Sequence, residues 1–159
     1  MITLGAIDLE AMRAHGVRDY PYECCGLLIG RFLETGRKAV SEVYPISNAR
    51  EEAAKRNRFL IRPEEVLRGE RHARGRGLEV VGFYHSHPDA PAVPSPYDLD
   101  HAWPTYSYIV VSVLKGAVRD VRSWEMRTDR SGFEEEILSG DSNHACHNNY
   151  SYSAAPICE

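Results

Sequence analysis

The chain has 159 residues, 43% of them apolar and 26% charged. That is enough for one domain with a real core, at the composition of an ordinary globular protein. A formal net charge of -4 and a pI near 6.0 lack the basic footprint of a general nucleic-acid binder. No apolar run approaches the roughly 20 residues that a membrane-crossing helix needs. Met1 to Asp8 has no basic stretch before an apolar core, so no signal peptide is expected and the cytoplasm is the expected address. The four cysteines are Cys24, Cys25, Cys146 and Cys158. They form neither a disulfide framework nor a paired C-x-x-C zinc pattern, so reduced thiols are expected.

In chain order, Asp8 to Gly16 reads as a first helix with Leu9 and Met12 on an apolar stripe and Asp8 as N-cap. Pro21 to Phe32 has a centre that is apolar on both faces, as a buried strand requires. Lys38 to Ile46 is a second strand, joined to the first in a hairpin through Glu34-Thr35-Gly36-Arg37. Ser47 to Arg58 is an exposed, charged connection, and Phe59-Leu60-Ile61 a short strand. Pro63 to Arg74 is a helix with Pro63 in its first turn and Glu64 and Glu65 at the favourable end of its dipole. Gly75 and Gly77 end it.

Leu78 to Tyr84 begins a strand of β-branched and aromatic residues that carries His85 and His87. A stiff loop, Pro88 to Pro94, leads to a helix from Ser95 to about Ala102, stopped by Pro104. Strands follow at Ser107 to Leu114, Ala117 to Met126 and Phe133 to Leu138. This order indicates a single α/β domain over residues 1–138, a mixed central sheet flanked by helices in three layers. Residues 139–159 are polar, with Ile157 the only strong aliphatic, and are expected to be a loosely packed or disordered tail.

The chemistry concentrates between His85 and Asp98. Side chains two apart on a strand share a face, so His85 and His87 can aim at one point. Taken alone, His-x-His is more often a polar face than a metal site. Ser95-Pro96-Tyr97-Asp98 taken alone is more often a capping box. Together they offer two imidazoles and a carboxylate with a fourth position for water, the arrangement of a catalytic zinc site.

With these residues in hand, the chain resembles the JAMM/MPN+ zinc metalloproteases in their compact prokaryotic branch. Their motif is a distant Glu, then His-x-His, seven residues and Ser-x-x-Asp. His85, His87, the seven residues 88–94, Ser95 and Asp98 match it, and Glu23 in Tyr22-Glu23-Cys24-Cys25-Gly26-Leu27-Leu28-Ile29-Gly30 would be the distant glutamate. Arg58-Phe59-Leu60-Ile61-Arg62-Pro63 and Tyr106 to Ser112 extend the resemblance, which covers about residues 1–138.

The resemblance implies a cytidine-deaminase-like architecture, with Zn²⁺ held by His85, His87 and Asp98. It implies Glu23 as general base and then acid, and Ser95 as donor to the oxyanion. It implies hydrolysis of the bond after the extended, Gly-Gly-type C-terminus of a ubiquitin-like or sulfur-carrier protein, whose tail would add along a sheet edge. A homodimer is allowed for.

A binding scaffold without catalysis is the alternative, but such relatives have typically lost metal ligands and all five positions are filled here. A zinc deaminase would need H-x-E and P-C-x-x-C, which are missing. Cys24 and Cys25 read as core residues and His101 as a surface histidine. His144-Ala145-Cys146-His147 offers ligand types without apolar support.

Overall fold

The computed structural model describes residues 1–140. The elements are β1 (Ile2–Leu4), α1 (Ala6–Asp19), β2 (Cys25–Phe32), β3 (Lys38–Ile46), α2 (Pro63–Gly75), β4 (Glu79–Pro88), α3 (Pro96–His101), β5 (Ser107–Leu114), β6 (Ala117–Met126), β7 (Phe133–Glu136) and β8 (Leu138–Gly140). The strands form one mixed sheet in the order β7-β6-β5-β4-β2-β3-β1-β8. β4 and β5 run parallel, as do β1 and its neighbours β3 and β8. β2 is antiparallel to both β3 and β4.

Each face of the sheet carries its own core. Met12 and Leu9 of α1 pack with Ile2, Leu28, Val81, Ile109 and Val111. Ala73 of α2 packs with Leu27, Ile29, Val80 and Phe83 on the other face. This is the expected three-layer α/β arrangement. A bulge assigns the faces of β4. Leu28 pairs with Gly82 and Ile29 with Val80, so Val81 is the extra residue. A bulge shifts the alternation by one. Val81, Tyr84 and Ser86 thus face α1, while Val80, Phe83, His85 and His87 face the opposite side.

Several expectations need correction. The first helix runs from Ala6 to Asp19 with Gly5 as N-cap. Asp8 lies inside its first turn, and its carboxylate instead accepts the Val43 N–H at 3.2 Å. Ile2–Leu4, too short to show alternation, is a strand because β3 and β8 flank it. Phe59-Leu60-Ile61 is not a strand. Leu60 N–H bonds the Asn48 side chain, and its carbonyl takes the Ala49 N–H at 3.0 Å. The last strand breaks at Ile137, and its second half pairs with β1. Ser139 and Gly140, assigned to the tail, belong to that pairing. The other tail residues, His144, Cys146 and His147 among them, lie outside the described residues.

Candidate metal centre

β4 lies between β2 and β5, hydrogen-bonded on both sides. Its C-terminal end is therefore rigid, and His85 and His87 leave it on one face. Cys25 pairs with His85, and Ser86 N–H donates to the Cys24 carbonyl at 3.1 Å. Continuing this antiparallel register sets Glu23 opposite His87, on the same face. The Pro88–Pro94 loop turns the chain back into α3. Ser95 caps that helix, with its hydroxyl accepting the Asp98 N–H at 3.3 Å and the Asp98 carboxylate accepting the Ser95 N–H at 2.6 Å.

The capping box and the candidate metal site share the Asp98 carboxylate. Asp98 Oδ2 accepts from the Ser95 backbone and, at 2.7 Å, from the Ser95 hydroxyl. Asp98 Oδ1 is left 3.5 Å from His85 Nε2. The two Nε2 atoms of His85 and His87 lie 3.0 Å apart, and His87 Nε2 is 3.5 Å from Asp98 Oδ2. One ligand atom from each of the three residues falls within 4.8 Å of the others.

Donors about 2.0–2.1 Å from a tetrahedral ion stand about 3.3 Å from one another. The two Nε2 atoms, and each Nε2 with one or the other Asp98 oxygen, stand within a few tenths of an ångström of that value. His87 Nδ1 lies 3.0 Å from the Pro91 carbonyl. A carbonyl only accepts, so Nδ1 carries the proton and Nε2 offers its lone pair to the shared point, the usual second contact of a ligating histidine. Phe59 stacks on His85 with ring centroids 4.7 Å apart and closes that side to water. The donor set, its burial and its spacing fit a small divalent cation.

The electrostatics agree. Burial alone would raise the Asp98 carboxyl, but hydrogen bonds from His85 and His87, the His85 charge and a hydrogen bond from Ser95 hold it well below the usual carboxylate range. Burial lowers His85. At His87 burial pulls the same way, yet Asp98 and Glu23 carry it above its ordinary value. Glu23 is 5% exposed. Burial pushes its carboxyl up to about 8 and Asp98 adds to this, against the lowering effects of His87 and Arg58. A base with its affinity for protons raised towards neutrality is what proton transfer at that pH requires.

All five residues singled out in the sequence converge here. The Ser95 hydroxyl donates to Asp98. Cys24 and Cys25 are buried free thiols, with burial pushing Cys24 up to about 12 and Cys25 higher still, so neither is a nucleophile. His101 is exposed and stacks on Tyr97.

Two participants escaped the sequence. The Pro91 carbonyl has no side-chain signature. Asn48 donates through Nδ2 to the Glu23 carbonyl at 2.9 Å and the Arg58 carbonyl at 3.1 Å. Its Oδ1 accepts from the N–H groups of Arg50 and Leu60 at 3.0 and 3.1 Å. In sequence it is one polar residue in a polar connection.

Beside the site lies a cavity of about 560 Å³ lined by aromatic and aliphatic side chains, among them Phe59, Ile61, Phe83, Trp103 and Tyr108.

A family model described as prokaryotic homologs of the JAB domain matches residues 6–127. A desampylase of Haloferax volcanii is 35% identical over 105 residues, covering 65% of this chain and 72% of that protein. A probable TtuB-protein conjugate cleaving protease of Thermus thermophilus is 33% identical over 102 residues; the match spans 64% of this chain and 64% of that protein. Among solved structures, a protein of Desulfitobacterium hafniense aligns with a TM-score of 0.76 at 34% identity, covering 93% of this chain and 99% of that one. A JAB1/MPN domain protein of Archaeoglobus fulgidus has a TM-score of 0.52 at 20% identity and covers 88% and 94%, a likeness of fold. The chain belongs to the prokaryotic JAB-domain family.

Proposed function

We propose that the chain is a zinc-dependent isopeptidase or peptidase that hydrolyses the bond after the C-terminal tail of a ubiquitin-like or sulfur-carrier protein. The observation that carries this reading is the convergence of His85, His87 and Asp98 donor atoms within 4.8 Å on the face that Glu23 shares. His and carboxylate donors at tetrahedral spacing suit Zn²⁺ among the common divalent ions. The names of the relatives, desampylase and TtuB-conjugate cleaving protease, agree with a protein-conjugate substrate.

Bound there, zinc supplies Lewis acidity that polarises the scissile carbonyl and makes water acidic. The protein's own residues do the rest. Glu23 takes a proton from the attacking water and returns it to the leaving nitrogen as the C–N bond breaks. The products are a carboxylic acid and an amine. The Ser95 hydroxyl, turned from Asp98, donates to the oxyanion. Phe59 keeps bulk water off His85.

The apolar cavity takes the tail. Neither edge of β4 is free for strand addition, so the tail cannot pair with the histidine strand itself. The Phe59–Ile61 segment lines the cavity; its Leu60 N–H and carbonyl are taken by Asn48 and Ala49, so the Phe59 and Ile61 backbones are the ones it offers to the tail. A tail ending in Gly-Gly brings its backbone close to the metal without a side chain in the way. All five proposed site residues come from one chain, so the reading requires no homodimer. A cytoplasmic setting belongs to the same reading; among the described residues no helix is long and apolar enough to cross a membrane.

The test is cleavage of carrier fusions by the zinc-loaded protein and by Glu23→Gln. The variant should lose about 10²- to 10⁴-fold in rate while retaining its zinc by elemental analysis. Equal cleavage by both would refute the mechanism. A native protein that binds no metal would favour a scaffold.

A further inference from the structure

Arg50 and Arg58 sit against one wall of the metal site. The Arg58 guanidinium carbon is 4.6 Å from the Tyr97 ring centroid and that of Arg50 5.4 Å from the same centroid. Tyr97 directly precedes Asp98. Arg50 also bonds the Tyr97 hydroxyl through one terminal nitrogen. Two half-buried guanidinium groups thus share one aromatic ring.

Neither has a carboxylate within 4.0 Å among the described residues, in a chain with 23 acidic side chains. Among the described residues, Arg50 Nε is buried without a hydrogen-bond partner. Arg58 donates one terminal nitrogen to the Asn57 carbonyl at 2.6 Å. Buried donors are normally satisfied, and two guanidinium charges against one ring without a carboxylate partner favour an anion beside them.

The arrangement is built rather than incidental. The Asn48 amide bonds the Arg50 N–H, the Arg58 carbonyl and the Glu23 carbonyl together. One side chain therefore fixes both arginine backbones relative to the proposed base. Guanidinium forks match carboxylates in shape and charge.

We propose that Arg50 and Arg58 form an anion subsite that binds a substrate carboxylate on the leaving-group side of the scissile bond. The side follows from the division of the site. The apolar cavity takes the carrier tail, and Glu23, which hands its proton to the leaving nitrogen, is tied to the arginines by Asn48. The carboxylate is either the α-carboxylate of a released amino acid or peptide, or an acidic side chain next to the target nitrogen. This rests on the hydrolytic reading above and adds a preference among its substrates.

The experiment uses the zinc-loaded full chain and tail peptides ending Gly-Gly-Ala with a free carboxylate, Gly-Gly-Ala-amide and Gly-Gly-Asp-amide. The free acid should be cleaved about ten- to a hundredfold better than the Ala amide, and Arg50→Gln and Arg58→Gln should each remove that preference, read as the ratio of the two rates within each variant. A preference for the Asp amide instead, lost in the same variants, supports the subsite with a side-chain source. Equal cleavage of all three, or equal losses on all three in the variants, overturns it.

A second readout does not need turnover. In ¹⁵N-labelled protein the Arg50 Nε–H resonance should shift and saturate with the free acid and not with the Ala amide. If no peptide is cleaved, the hydrolytic reading fails, and this titration still decides the anion subsite. An unmoved Arg50 signal would overturn it.

Discussion

Asp98 shows how one carboxylate serves two masters at the scale of single atoms. Its Oδ2 closes the helix cap with Ser95, and its Oδ1 faces His85. Capping fixes the carboxylate's rotamer before any ion arrives, which is the preorganisation that a metal ligand needs. Glu23 is the opposite case, a carboxyl whose burial is unfavourable in the charged form.

That gives a prediction for the metal-free protein. The folded value of Glu23 is about 8 against 4.5 in the open chain. Between them the folded state binds more protons than the unfolded state. Stability therefore falls as pH rises through that window, by up to about 1.4 kcal/mol per pH unit. His87, raised, acts in the same direction. His85 and His15, lowered by burial, oppose it only below about 6.5. Urea unfolding of the metal-free chain between pH 6.5 and 8 should show the decline, and Glu23→Gln should flatten it. Parallel slopes for the two proteins would contradict the assigned burial effect.

At the scale of elements, the centre depends on how closely β4 approaches its neighbours. A Cβ at Gly82 would stand 2.3 Å from the Ser107 carbonyl oxygen and 3.1 Å from Leu28 Cδ1. Backbone cannot step aside as a side-chain tip can. Gly82→Ala should therefore separate β4 from β5, cost about 1–3 kcal/mol and weaken metal binding by displacing both histidines. Denaturant unfolding and a competitive zinc titration read the two effects. Gly75→Ala, with nothing within 4 Å of the new Cβ, is the control and should leave both unchanged or gain slightly in stability.

For the whole molecule, the decisive feature is how the sheet ends. Its two edge strands, β7 and β8, are consecutive in sequence with only Ile137 between them. One chain segment thus joins the two edges, its first half pairing with β6 and its second with β1. Charged and polar side chains gather at this closure. Lys38, 2% exposed, reaches Glu125 and lies 3.6 Å from Glu136. Glu136 accepts from Ser107 at 2.6 Å and Ser123 at 2.8 Å, and sits 3.0 Å from the Met1 amine.

Lys38 pairs with Phe32, at the end of β2 away from the Cys25–His85 pair, so its role is separable from the metal. Lys38→Met should destabilise the fold by about 3 kcal/mol, because Glu136 keeps a buried charge with less compensation. Zinc content per folded molecule should not change. Adding Glu136→Gln should recover part of the loss, and a double variant no more stable than Lys38→Met would argue against the charge explanation.

Much of this was legible from residue types and spacing. The β3, β5 and β6 boundaries follow from alternating or continuous apolar runs between turn residues, and the candidate metal ligands from their separations of two and eleven along the chain. Spacing succeeds there because His85, His87, Ser95 and Asp98 sit on one strand, one stiff loop and one helical turn, where local geometry sets position. It failed wherever pairing was long-range. Ile2–Leu4 is a strand only because β3 and β8 accept it, and Phe59–Ile61 is none because Asn48 and Ala49 take up the Leu60 backbone. Sequence by itself determined which donor atoms can meet a metal. Tertiary structure alone decided that Glu23 comes to their face across the β2–β4 register, and that Asn48 ties Glu23 to two arginines, since neither contact has a local signature in the chain.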